Sequence, residues 1–120
     1  MAFARLNGVV QHYQDAGARD GQAIVFSNSL GTDFRIWDEL LRHLPSGLRV
    51  IRYDKRGHGL SEATPGPYAM KTLAEDLAAL LDHLGVKRAA VVGLSVGGMI
   101  AQGLASLRPD LVSALVLMDT

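Results

Sequence analysis

The chain has 120 residues, with twelve Lys and Arg against twelve Asp and Glu, no cysteine and 48% apolar residues. That is enough for one domain with one core, and the balanced charge, without a basic block, argues against nucleic acid or an anionic membrane surface as a main partner. The lack of thiols excludes disulfides, thiolate metal sites and a cysteine nucleophile; with no long apolar run at the N-terminus or elsewhere, a soluble cytoplasmic protein without membrane contact is the expectation.

The first element is a hairpin: two strand-like runs in "FARLNGVVQHYQDAG" flank Asn7-Gly8, a strong two-residue turn signal. "QAIVFS" follows as a short buried strand. In "TDFRIWDELLRHLP" the residues Phe34, Trp37, Leu40, Leu41 and Leu44 recur at helical spacing. Thr32 or Asp33 is placed to cap that helix and Pro45 to stop it. "LRVIRYD" is the next strand. In "MKTLAEDLAALLDHLG" the leucines 73, 77, 80, 81 and 84 form one apolar stripe, and Gly85 suits a C-terminal cap. Thr72 and Glu75 have capping-box spacing, although the helix can begin a turn earlier. "RAAVVGL" reads as a buried strand, "VGGMIAQGLASLRP" as a helix rich in small residues, and "VSALVLMDT" as a last strand. A hairpin followed by strand–helix–strand–helix–strand–helix–strand predicts an α/β fold, with a parallel sheet covered by helices on both faces. Ligands on such sheets sit beyond the carboxyl ends of the strands, so the loops that follow strands are the informative ones.

After "AAVVG", Gly93-Leu94-Ser95-Val96-Gly97 matches G-x-S-x-G. The pattern is short, and its context between a strand and a helix carries the argument. A serine that projects from a very sharp turn into a helix needs glycine two residues to either side, because side chains there would strike the neighbouring strand or helix. Ser95 is thus the candidate nucleophile and Gly93 and Gly97 the turn glycines. The Val96 N–H, at a helix N-terminus, faces the place where a negative oxygen could form. A phosphate-binding reading fails, since a dinucleotide loop wants glycine at Ser95 and the Walker lysine is absent. After "QAIVF", the loop "SNSLGTD" offers the Leu30 N–H as a second oxyanion donor, with Asn28 and Ser29 able to hold the loop by side-chain hydrogen bonds; otherwise it is a polar turn into a helix cap. After "LRVIRY", the loop "DKRGHGLSE" carries Asp54, Arg56, His58 and Ser61. Arg56 either binds a substrate carboxylate or, the preferred reading, forms an internal brace with Asp54. His58 is a weak candidate base. His12, His43 and His83 read as surface residues.

Together "FSNSLGTD", "RYDKRGHGLSE", "GPYAM" and "GLSVGGM" resemble the α/β-hydrolase superfamily over essentially the whole chain. Within it they resemble most the 3-oxoadipate enol-lactonases, also called β-ketoadipate enol-lactone hydrolases. Asn28-Ser29, where many members have His-Gly, favours that subgroup. The resemblance implies a serine hydrolase that opens an enol-lactone to 3-oxoadipate in aromatic catabolism. Ser95 would be the nucleophile, Leu30 and Val96 the oxyanion amides, a small lactone the partner, and no metal or organic cofactor would be used.

In that family the order is nucleophile, acid, histidine. All four histidines here precede Ser95. The resemblance therefore implies that residues 1–120 are the N-terminal part of one α/β-hydrolase domain. The cap, two further strands, the acid and the histidine would come from more of the same chain or from a second polypeptide. Asp119 is a minor candidate for the acid. On this reading "SALVLM" forms an exposed apolar edge, and the chain alone is inactive, since losing a triad member costs about 10⁴-fold in rate. The alternatives are another ester or carbon–carbon-bond hydrolase of the same fold, or a truncated interaction module without catalysis.

Overall fold

The computed structural model describes residues 2–120. The hairpin forms as its turn demands. Strands β1 (Ala2–Leu6) and β2 (Val9–Gly17) pair in antiparallel register around Asn7 and Gly8, at φ 51° and 82°. Positive φ at both turn residues is what lets a two-residue loop follow the strand twist. The remaining strands are β3 (Ala23–Ser27), β4 (Arg49–Tyr53), β5 (Ala89–Leu94) and β6 (Val112–Met118). They complete one six-stranded sheet in the order β1-β2-β4-β3-β5-β6. The four strands from β4 to β6 run parallel, and β2 joins β4 antiparallel.

Strand alternation divides the core into two layers. Val25 and Val91 face one side of the sheet, with Ile51 and Tyr53. There they meet Leu77, Leu80 and Leu81 of helix α2 (Met70–His83) and Ile100 and Leu104 of α3 (Val96–Leu107). Their neighbours Phe26 and Val92 face the other side, against Phe34 and Trp37. Gly103 lets α3 approach α2, since a Cβ there would lie 3.3 Å from the Ala74 methyl. Helix α2 ends at Gly85, φ 70°, where the Gly85 and Val86 N–H groups donate to the Asp82 and Leu81 carbonyls. That is the pairing by which a left-handed glycine closes a helix. No helix among the described residues is long and apolar enough to cross a membrane.

Two expected elements differ. The long helix over "TDFRIWDELLRHLP" is a 3-10 turn (Phe34–Trp37) and one α turn, α1 (Asp38–Leu41). Arg52 of β4 accounts for this. Its guanidinium takes the Phe34 carbonyl at 3.2 Å and also binds Asp38. The Phe34 carbonyl is drawn toward Arg52, and the Asp38 N–H bonds to Arg35 instead. Asp33, not Thr32, caps the turn by accepting the Arg35 N–H at 2.9 Å, and Leu40 is left exposed. At α2 the helix begins at Met70 behind Ala69, with no side-chain cap, so Thr72 and Glu75 lie inside it.

Candidate active site

The carboxyl ends of the adjacent strands β3 and β5 present the loops singled out from the sequence. Ser95 links β5 to α3 with φ 55° and ψ −118°, a strained backbone for a residue with a side chain. Three hydrogen bonds hold it there. Its N–H donates to the Met118 carbonyl of β6 at 2.8 Å. Its own carbonyl accepts from the Gly98 and Met99 N–H groups at 2.9 and 3.3 Å, opening α3. The side chain makes no capping bond with that helix. The neighbouring glycines have spatial reasons. A Cβ on Gly93 would lie 2.5 Å from Gly98 Cα, and one on Gly97 would lie 2.0 Å from the Ser27 carbonyl oxygen. Strand, serine turn and helix are thus packed backbone to backbone. Val96 is the first residue of α3, where backbone N–H groups lack intrahelical acceptors.

Beside this turn, residues 28–33 form a loop braced by its own side chains. Asn28 Nδ2 donates to the Thr32 carbonyl at 3.2 Å, the Ser29 and Thr32 hydroxyls meet at 3.2 Å, and Thr32 Oγ1 donates to the Ser29 carbonyl at 2.8 Å. Gly31 turns the chain at φ 76°. Leu30 is 74% exposed, and its N–H donates to no backbone carbonyl among the described residues.

The third loop corrects the expected Asp54–Arg56 brace. Asp54 accepts the Phe34 and Leu60 N–H groups at 2.9 and 3.0 Å and contacts His12 Nδ1 at 2.7 Å. Arg56 pairs instead with Asp76 of α2, through two bonds of 2.9 and 2.8 Å, and also holds the Asn7 carbonyl. Its guanidinium is thereby committed to the scaffold. Gly59, at φ 51°, is required because a Cβ there would lie 2.3 Å from the Asp54 carboxylate. His12 is also corrected: it is buried, not on the surface, with its ring between Phe3 and Phe34. A cavity of about 390 Å³ opens beside this pair, and Ser95 is absent from its lining.

Among the described residues no histidine stands by Ser95. His12 is bound to Asp54, His43 is exposed near Glu39, His58 contacts the Arg56 carbonyl, and His83 lies at the far end of α2 against Tyr13. Asp119 follows β6 at φ 52° and is exposed. Sequence reasoning missed Lys55. Only 2% exposed, it donates from Nζ to the Asn28 and Ser29 carbonyls at 3.0 and 2.8 Å. Burial pushes its ammonium down to about 8, partly offset by Asp54. Its only signal in the sequence is a lysine two residues past a buried strand.

Comparison with known proteins places this geometry. Residues 22–120 match the α/β-hydrolase fold family. The chain is 38% identical over 112 residues to 3-oxoadipate enol-lactonase 2 of Acinetobacter baylyi, covering 93% of this chain and 42% of that protein. It is 38% identical over 109 residues to a non-heme chloroperoxidase of Streptomyces lividans, covering 89% of this chain and 40% of that one. The crystal structure of the enol-lactonase from Burkholderia xenovorans LB400 superposes with a TM-score of 0.90 at 41% identity, covering 95% of this chain and 45% of that one. The chain thus spans less than half the length of these relatives. With its sheet order, its strained serine turn and a family match over most of its length, the chain belongs to the α/β-hydrolase family.

Proposed function

We propose that residues 1–120 are the N-terminal part of a single α/β-hydrolase domain that opens 3-oxoadipate enol-lactone, with Ser95 as nucleophile. The observation that carries the reading is the strained Ser95 backbone between two glycines that admit no side chain. Ser95 Oγ attacks the lactone carbonyl while a base takes its proton. The Leu30 and Val96 N–H groups receive the developing oxyanion. Collapse breaks the ring C–O bond, and the released enolate takes a proton at carbon to become the ketone. Water then cleaves the acyl-enzyme to the free acid. The base and its acid partner come from further chain or from a second polypeptide. The lactone as substrate is supported by Asn28-Ser29 and by the enol-lactonases among the relatives.

The exposed apolar residues of the β6 edge favour a second reading, a truncated interaction module without catalysis. One experiment separates the two. The chain is assembled with the C-terminal half of an enol-lactonase, fused or as a second polypeptide, and lactone opening is followed spectrophotometrically. The first reading expects turnover that Ser95→Ala abolishes. An assembled pair without turnover, or turnover that survives Ser95→Ala, overturns it.

A further inference from the structure

A trans peptide points its C=O and N–H in opposite directions, so holding one aims the other. The Leu30 N–H shares its peptide plane with the Ser29 carbonyl. Lys55 Nζ grips that carbonyl at 2.8 Å and the preceding Asn28 carbonyl at 3.0 Å. The sheet order β4-β3-β5 puts the loop after β3 between Lys55, which follows β4, and Ser95, which follows β5. The other side of the loop is closed by Gly97, where a Cβ would lie 2.0 Å from the Ser27 oxygen and 2.8 Å from the Asn28 oxygen. The Asn28 carbonyl is therefore held between an ammonium and the Ser95 turn, and the Ser29 carbonyl by the ammonium and by the Thr32 hydroxyl at 2.8 Å. An ammonium is costly to bury, and an apolar side chain would fill the space without that cost. What the ammonium adds is charge-assisted bonding to two successive carbonyls. A cation on the carbonyl side of an amide also polarises it, making its N–H a stronger donor.

We propose that Lys55 is a positioning residue of the oxyanion hole, aiming and polarising the Leu30 N–H through the Ser29 carbonyl without touching substrate. This rests on the reading of Ser95 as nucleophile and Leu30 as donor, so the test has two arms.

In the first arm, the orientation of the Leu30 N–H is measured by residual dipolar couplings in the assembled pair, in wild type and in Lys55→Met. A reoriented or averaged Leu30 coupling, with couplings in β5 and α3 unchanged, is expected. An unchanged Leu30 coupling in the folded variant overturns the proposal. In the second arm, the assembled pair is assayed. Since removing one oxyanion donor outright costs about 10²–10³ in kcat, loosening it should lower kcat roughly 10- to 100-fold, with KM within about twofold and partial rescue in Lys55→Gln. Wild-type kcat in Lys55→Met, or a change confined to KM, overturns the proposal. A wild-type pair with no turnover overturns the hydrolase reading and leaves Lys55 to be decided by the couplings. If Lys55→Met does not fold, both arms are run on Lys55→Gln, with a shifted coupling and an intermediate kcat expected and wild-type values in both contradictory.

Discussion

Replacing Gly97 with alanine drives a methyl group to 2.0 Å from the Ser27 oxygen, which belongs to a strand end and cannot rotate away. At Gly98 the nearest atom to an added methyl is the Thr120 side-chain methyl, 1.8 Å away, which can turn aside. Alanine also favours a helix over glycine by about 1 kcal/mol. Gly97→Ala is therefore expected to lose about 1–3 kcal/mol or more, and Gly98→Ala to stay within about 1 kcal/mol of wild type. Urea unfolding of both variants checks the contrast. Equal losses would mean that the glycines serve only flexibility. The G-x-S-x-G spacing was legible because a steric rule dictates it. Lys55 and His12 were not legible, because their burial depends on strands paired across the sheet.

At the scale of elements, Asp76 is the joint between α2, the hairpin and the loop after β4. Its carboxylate holds Arg56 and Asn7, and its carbonyl accepts from Gln11 at 3.1 Å. Removing one partner of a buried ion pair strands the other, so Asp76→Ala is expected to cost about 3–5 kcal/mol, read from the urea midpoint. A loss under about 1 kcal/mol would place the pair with ordinary surface bridges. From sequence, Arg56 read as the partner of Asp54, two residues away, because spacing along the chain hides a carboxylate 20 positions on. The same limit shortened the first helix. The apolar spacing of Phe34 and Trp37 was correct, and both are buried, but Arg52 of a later strand redirects the Phe34 carbonyl. The hairpin at Asn7-Gly8 and the leucine stripe of α2 were legible because local turn chemistry and helical period suffice to specify them.

Across the whole molecule, the parallel sheet and its two core layers follow from the alternation read in the sequence, whereas the strand order β1-β2-β4-β3-β5-β6 comes only from the folded chain. The sheet leaves β6 unpaired on one side, with Leu115, Val116 and Leu117 between 37% and 48% exposed. An apolar edge of that kind templates pairing. Sedimentation velocity is expected to find concentration-dependent association that Val116→Lys reduces; a wild-type monomer at every concentration would contradict this. The Ser95 turn is proposed to hold a nucleophile whose base lies outside these residues. Fluorophosphonate treatment of the pair assembled with an enol-lactonase C-terminal half, with the adduct mapped by peptide mass spectrometry, tests this. One phosphonylated serine, Ser95, and no adduct in Ser95→Ala are expected; an assembled pair left unlabelled, or labelled at another serine, would overturn the role of Ser95.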